Sequence, residues 1–175
     1  RNIVNALGTD HDVVIEVGAG MGVLTQYLID NQLDKLQVVE IDTESVEFLK
    51  NKLPMLEGHL TLGDFLKQDL TSFRPKQAST SSFRAERSEV EKSPASEVQR
   101  NLISGDFSIP LRFSRNDVLD IAVIGNFPYN ISSQIFFQIL KYRNNVSECV
   151  GMIQKEVAER IAAGPGTQTY GILSV

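Results

Sequence analysis

The chain has 175 residues, 42% of them hydrophobic and 22% charged, a balance that suits one globular domain with enough apolar material for a core. No run of about 18 apolar residues occurs, which excludes a membrane-spanning helix, and a single cysteine, Cys149, excludes an internal disulfide and a cysteine-cluster metal site. The formal net charge of -5 argues against a broadly basic nucleic-acid-binding surface but says nothing of local patches.

The first residues, Arg1-Asn2-Ile3-Val4, carry no signal-peptide pattern, so the expectation is a cytoplasmic chain. Val13-Val14-Ile15-Glu16-Val17 is a β-branched apolar run and predicts a buried strand, ending in Gly18-Ala19-Gly20-Met21-Gly22. Val23 to Ile29 has apolar residues at helical spacing. Leu36 to Ile41 predicts a second strand. Thr43, after Asp42, can cap a helix carrying Val46, Leu49 and Leu53, which Pro54 stops. Leu60-Thr61-Leu62 predicts a short third strand before Gly63-Asp64, and Leu119 to Ile124 a fourth before Gly125-Asn126-Phe127-Pro128-Tyr129. A helix is expected from Ile131 to Leu140, a fifth strand from Cys149 to Ile153, and a short helix from Gln154 to Ala163. Cys149, in an apolar stretch, is expected as a packed core thiol.

Strands alternating with helices predict an α/β fold, a mostly parallel sheet with helices on both faces. Residues 72–117 break the alternation. Ser79-Thr80-Ser81-Ser82 is polar, and the stretch from Glu86 to Arg100 mixes charges without an apolar face. It reads as a disordered insert within a single domain spanning 1–175. Two roles are open to it: a tolerated insertion, or an arm whose spread basic residues touch RNA.

Ligands of parallel sheets bind at the carboxyl ends of the strands, and the unusual residues fall there. Gly18, Gly20 and Gly22 allow close approach of backbone to a ligand. Their spacing is G-x-G-x-G, not the G-x-G-x-x-G of dinucleotide sites, which lowers a nicotinamide reading and suits a cofactor without a pyrophosphate, such as S-adenosylmethionine. Glu40, ending the second strand, can accept ribose hydroxyls. Asp64 can accept from an adenine amine or cap a turn. Glycine turns also arise for purely structural reasons.

Asn126-Phe127-Pro128-Tyr129 is the most informative segment. The N6 amine of adenine is conjugated with its ring and is a poor nucleophile. Acceptors facing its N–H groups, such as the Asn126 side-chain oxygen and the Phe127 carbonyl, favour a more tetrahedral nitrogen and disperse developing positive charge. Pro128 stiffens the turn, and Tyr129 offers a flat face to a flipped base. The competing reading is a strand-ending turn with a core tyrosine. His11 and His59 are isolated and form neither a metal site nor a triad, so no metal is expected. Lys155, Glu156, Glu159 and Arg160 read as a solvated helix face.

Together these residues resemble the small-subunit ribosomal RNA adenine dimethyltransferases of the KsgA type. The similarity lies in Glu16 to Thr25, Val39-Glu40-Ile41-Asp42, Gly63-Asp64, Asn126 to Ser132, Gln154 to Arg160 and Tyr170 to Val175. It covers residues 3–71 and 118–175. The resemblance implies a Rossmann-like class I methyltransferase fold that uses S-adenosylmethionine to dimethylate N6 of adenosines near the 3′ end of small-subunit rRNA, on the 30S particle, during ribosome biogenesis. It implies that Glu16, Gly18, Gly20, Gly22, Glu40, Asp64 and Asn126 hold the cofactor. It further implies that Asn126, Phe127, Pro128 and Tyr129 carry catalysis. A segment covering the cofactor and a C-terminal helical domain would lie outside this chain. A monomer is the default. The alternatives are an Erm-type large-subunit rRNA methyltransferase and a non-catalytic assembly factor on the same fold.

Overall fold

The computed structural model describes residues 2–75 and 118–175. In chain order the regular elements are α1 (Asn2–Asn5), β1 (Val13–Val17), α2 (Val23–Gln32), β2 (Leu36–Glu40), α3 (Thr43–Lys52), β3 (Leu60–Leu62), β4 (Ile121–Asn126), α4 (Ser132–Lys141), β5 (Val146–Met152) and α5 (Lys155–Ile161). The strands form one parallel sheet in the order β3-β2-β1-β4-β5. This is the expected α/β alternation. All five residues of β1 and of β2 are buried, as central parallel strands covered on both faces must be.

Alternate residues of each strand feed two cores. Val13, Ile15 and Val17 of β1 and Ile121 and Val123 of β4 pack with Ile135 and Ile139 of α4. Val14, Val38, Ala122 and Ile124 pack on the other face with Leu28 of α2, Leu49 of α3, and Val4 and Leu7 near α1. Helices thus cover both faces.

Several boundaries differ from expectation for local reasons. Asp42, not Thr43, caps α3: its carboxylate accepts from the backbone and hydroxyl of Ser45 at 2.8 and 2.6 Å, which holds its carboxyl below the usual range. Strand β4 starts at Ile121, two residues later than expected, because Asp120 is held instead by the loop before β1: its N–H donates to the Asp12 carboxylate at 2.9 Å. It runs on to Asn126, which pairs with Met152. Cys149, expected in the core, is exposed on β5, since β5 ends the sheet and its outer side lacks a neighbouring strand among the described residues. Partial desolvation, then the charge of Glu148, pushes its thiol up to about 11, so it is a thiol and not a nucleophilic thiolate at neutral pH.

Of the stretch 72–117 taken as an insert, 76–117 lies outside the described residues. Ser72 ends a 3₁₀ turn (Leu70–Ser72), and Phe73 is buried in the α4-side core. Both histidines are satisfied structurally. His59 hydrogen-bonds the Leu36 carbonyl at 2.8 Å. His11 lies 2.6 Å from Glu148 and 3.3 Å from Asp120, joining the loop before β1 to β5 and to the residue before β4.

Helix α2 supplies a direct test of this packing. Leu28 is fully buried, whereas Val23 on the same helix is 71% exposed. Leu28→Ala should cost about 2–5 kcal/mol in urea unfolding, and Val23→Ala no more than about 0.5 kcal/mol; equal losses would contradict the assigned face of α2.

Candidate active site

The strand order reverses direction at β1. The chain leaves β1 toward β2 and β3, then returns to lay β4 and β5 on the opposite side. The loops after β1 and β4 therefore part, and a crevice opens between them at the carboxyl ends of the strands. A cavity of about 700 Å³ lies there, lined by Ile3, Glu16, Gly18, Ala19, Gly20, Met21, Val23, Leu24, Tyr27, Asn126 and Met152. Its size suits a cofactor-sized ligand.

Gly18, Gly20 and Gly22 all have positive φ, at 72°, 51° and 77°, a region costly for residues with a side chain. Their surroundings separate them. A Cβ on Gly18 or Gly20 would meet nothing within 4 Å, so both keep backbone open to the cavity. A Cβ on Gly22 would come within 2.6 Å of the Leu49 side chain. Gly22 therefore lets the start of α2 pack against α3, and it does not line the cavity. This is the close-packing role that the expected spacing had left unassigned.

Glu40 is buried, and its carboxylate is already engaged. One oxygen accepts from Gly20 N–H at 2.8 Å; the other accepts from Ile41 and Asp42 N–H at 2.8 and 2.9 Å. A carboxylate has about four acceptor positions, and three here brace the glycine loop against the end of β2. Asp64 starts the 3₁₀ turn Phe65–Lys67 and accepts from Leu66 N–H at 3.0 Å, with Lys67 at 3.6 Å. That is the capping role among its two readings. Neither Glu40 nor Asp64 lines the cavity.

Glu16 is 1% exposed, and neither of its carboxylate oxygens has a hydrogen bond of good geometry; the buried Thr25 hydroxyl is also unpaired. Burial pushes the Glu16 carboxyl from its ordinary 4.5 up to about 7. The nearby Thr25 hydroxyl opposes the rise, the charge of Glu40 adds to it, and the Thr25 backbone again opposes it. A buried carboxylate whose near donors, the hydroxyl and backbone N–H of Thr25, are poorly aligned is costly unless a ligand supplies better ones.

Asn126 ends β4 on the cavity wall, and its side chain is exposed with no hydrogen-bond partner among the described residues. Phe127 turns inward and is buried; its N–H donates to the Met152 carbonyl at 3.0 Å. The turn is closed by Ile131 N–H to the Pro128 carbonyl at 3.1 Å and by the Ser132 hydroxyl to the Tyr129 carbonyl at 3.4 Å. These bonds leave the Phe127 carbonyl free. Tyr129 is 73% exposed, so it is no core tyrosine. The expected core alternative thus fits Phe127, not Tyr129. Met152, Met21, Val23 and Tyr27 complete the cavity lining; Met21 and Val23 lie within the glycine motif, whereas Tyr27 and Met152, in an ordinary helix and strand, carried no sequence signal. Lys155 and Glu159 pair at 3.5 Å on an exposed face, as expected of a solvated helix.

A family described as ribosomal RNA adenine dimethylase matches residues 2–175. A relative from Parabacteroides distasonis, named ribosomal RNA small subunit methyltransferase A, is 43% identical over 162 residues, covering 93% of this chain and 44% of that protein. A protein of the same name from Bacteroides fragilis is 39% identical over 176 residues, covering 100% of this chain and 49% of its own length. The chain thus spans a little under half the length of these curated relatives. Among solved structures, a dimethyladenosine transferase from Plasmodium falciparum shares the fold at a TM-score of 0.59 and 22% identity, over 99% of this chain and 47% of that one. The 23S rRNA methyltransferase ErmE does so at 0.52 and 22%, over 91% and 46%. With its parallel sheet, its glycine loop and the asparagine turn beside it, this chain belongs to the ribosomal RNA adenine dimethylase family.

Proposed function

We propose that this chain is the cofactor-binding and catalytic part of an S-adenosylmethionine-dependent methyltransferase that dimethylates adenine N6 in small-subunit rRNA, on the 30S particle, as a cytoplasmic monomer serving ribosome biogenesis. The observation that carries this reading is the free Asn126 amide on the wall of a cavity that also holds the poorly satisfied Glu16 carboxylate, with the free Phe127 carbonyl next along the chain. The residues fit the cofactor chemically. Gly18 and Gly20 leave backbone accessible, and Glu16 lacks the donors that an ammonium group supplies. Glu40 keeps one acceptor position for a ribose hydroxyl. Asp64 keeps acceptor capacity beyond its cap for an adenine amine. When bound, the cofactor supplies a methyl group activated by a sulfonium.

The protein then has to orient the acceptor nitrogen and stabilise its developing charge. In the first transfer Asn126 Oδ1 and the Phe127 carbonyl accept from the two N–H groups of the target amine; in the second, one of them accepts from the single N–H that remains. Accepting both draws the lone pair out of conjugation and spreads the positive charge that grows as the methyl arrives. Tyr129 provides the stacking face that holds a flipped adenine at the rim. Pro128 and the Ser132 hydroxyl keep the turn from following the base as it enters. No strong base is required, because the amine loses its proton to solvent after transfer.

The test is made on the full-length protein with unmethylated 30S and 50S particles, reading the rRNA by nucleoside mass spectrometry. N6,N6-dimethyladenosine should appear in small-subunit rRNA alone, and Asn126→Ala should slow its formation by about 10²–10³-fold. Product in 50S rRNA alone would favour the large-subunit reading, and cofactor binding without product would favour an assembly factor.

Glu16 gives a second test with opposite signs in stability and binding. Its folded pKa lies above its unfolded value, so the folded state binds more protons between about 4.5 and 7, and stability falls across that window as pH rises. The loss reaches about 3 kcal/mol above pH 7. Glu16→Gln should therefore raise Tm over wild type at pH 8 and far less at pH 5, while weakening S-adenosylmethionine binding about tenfold. A Tm difference that does not change between the two pH values would contradict the buried, poorly satisfied carboxylate.

A further inference from the structure

Phe127 is the only side chain of the Asn126 to Tyr129 turn that is buried, so the other three project from it as from a root. The ring lies across two glycines that face each other in the sheet, Gly125 of β4 and Gly151 of β5, which are registered partners. A Cβ on Gly125 would come within 2.8 and 3.0 Å of Cε1 and Cδ1 of the ring. A Cβ on Gly151 would come within 2.5, 2.8 and 3.1 Å of Cε2, Cδ2 and Cζ. The two ring edges thus each rest on one glycine. The Phe136 ring of α4 closes the notch edge-on, at 5.8 Å and 83°. Neither glycine has positive φ, so backbone conformation does not demand glycine at either position; at Gly151 the ring does, and at Gly125 the ring and the Val17 carbonyl do.

We infer that Gly151 is a positioning residue for methyl transfer: by leaving the sheet surface bare, it sets how deep the Phe127 ring sinks, and so where the Phe127 carbonyl and the Asn126 amide point. The inference deepens the function proposed above and rests on it. Gly151 itself touches neither cavity nor substrate; it acts through Phe127. The ring has little freedom to yield elsewhere, since Gly125 and Phe136 bound it on its other sides. A methyl at 151 therefore lifts the ring, and the turn rises with it. Displacing reacting groups by about 1 Å can cost about 10²-fold in rate. Gly125 is a poorer probe because its Cβ would also meet the Val17 carbonyl oxygen at 2.6 Å, which is backbone and disturbs β1.

The experiment compares wild type, Gly151→Ala, Phe127→Leu and the double variant in the full-length protein. It measures single-turnover methylation of 30S particles at saturating S-adenosylmethionine, cofactor affinity and thermal unfolding. Gly151→Ala should slow transfer about tenfold or more, with cofactor affinity held within about threefold. In the Phe127→Leu background, where the nearest clashing atom Cε2 and also Cζ are gone, adding Gly151→Ala should change the rate by less than about threefold. An unchanged rate for Gly151→Ala, an equal loss in both backgrounds, or a parallel loss of cofactor affinity would overturn the inference. Should Gly151→Ala fail to fold, the double variant decides. If it folds and matches Phe127→Leu the notch stands, and if it also fails to fold the glycine serves the strand alone. A wild-type protein that methylates no adenosine would remove the proposed function and this inference together, a result distinct from an active wild type indifferent to Gly151→Ala.

Discussion

The parallel pairing of β1 with β4 is the constraint on which the site depends. These strands are hydrogen-bonded neighbours in the middle of the sheet, yet they are far apart in sequence, and their outgoing connections run to opposite sides. Two adjacent carboxyl ends are thereby left without a crossing connection. The glycine loop after β1 and the Asn126 to Tyr129 turn after β4 meet only because of that register: Val17 pairs with Gly125, which brings Gly18 and Asn126 to the same rim. Shifting β4 by one residue would turn Asn126 to the other face of the sheet.

Around that crevice, side chains divide between holding shape and holding chemistry. Glu40 spends three acceptor positions on backbone N–H groups of the glycine loop and its own strand end. Gly22 yields space to Leu49. Phe127 is sunk into a two-glycine floor. These contacts stabilise a loop and a turn that would otherwise be mobile connections. Glu16 does the reverse. It is a buried carboxylate without a good hydrogen bond, and it lowers stability at neutral pH. On the proposed reading a ligand completes it, and the instability of the free protein and the affinity of the filled site then have one origin.

Much of this was legible in the sequence because it rests on local patterns. The β-branched run of Val13 to Val17, the helical spacing after Gly22 and the apolar run before Asn126 fix element type through period and propensity. What was not legible depends on pairing between distant segments. The strand order cannot be read from parallel strands of similar composition. Cys149 looked like a core residue because its neighbours are apolar, but edge position, not composition, exposes it. That Glu40 also braces the glycine loop was not legible, because the donors it accepts from belong to a loop 20 residues earlier and to its own strand end. Gly125 and Gly151 carried no signal, since the Phe127 ring, and for Gly125 also the Val17 carbonyl, reach them only once the strands pair.

The most direct measurement is a crystal structure of the full-length protein grown with S-adenosylhomocysteine, the demethylated cofactor. The account predicts the ligand in the β1–β4 crevice, its ammonium group at Glu16, its backbone contacts at Gly18 and Gly20, and its sulfur facing the Asn126 amide and the Phe127 carbonyl. Ligand bound elsewhere, or bound with its sulfur turned away from Asn126 while Glu16 stays without a partner, would contradict it.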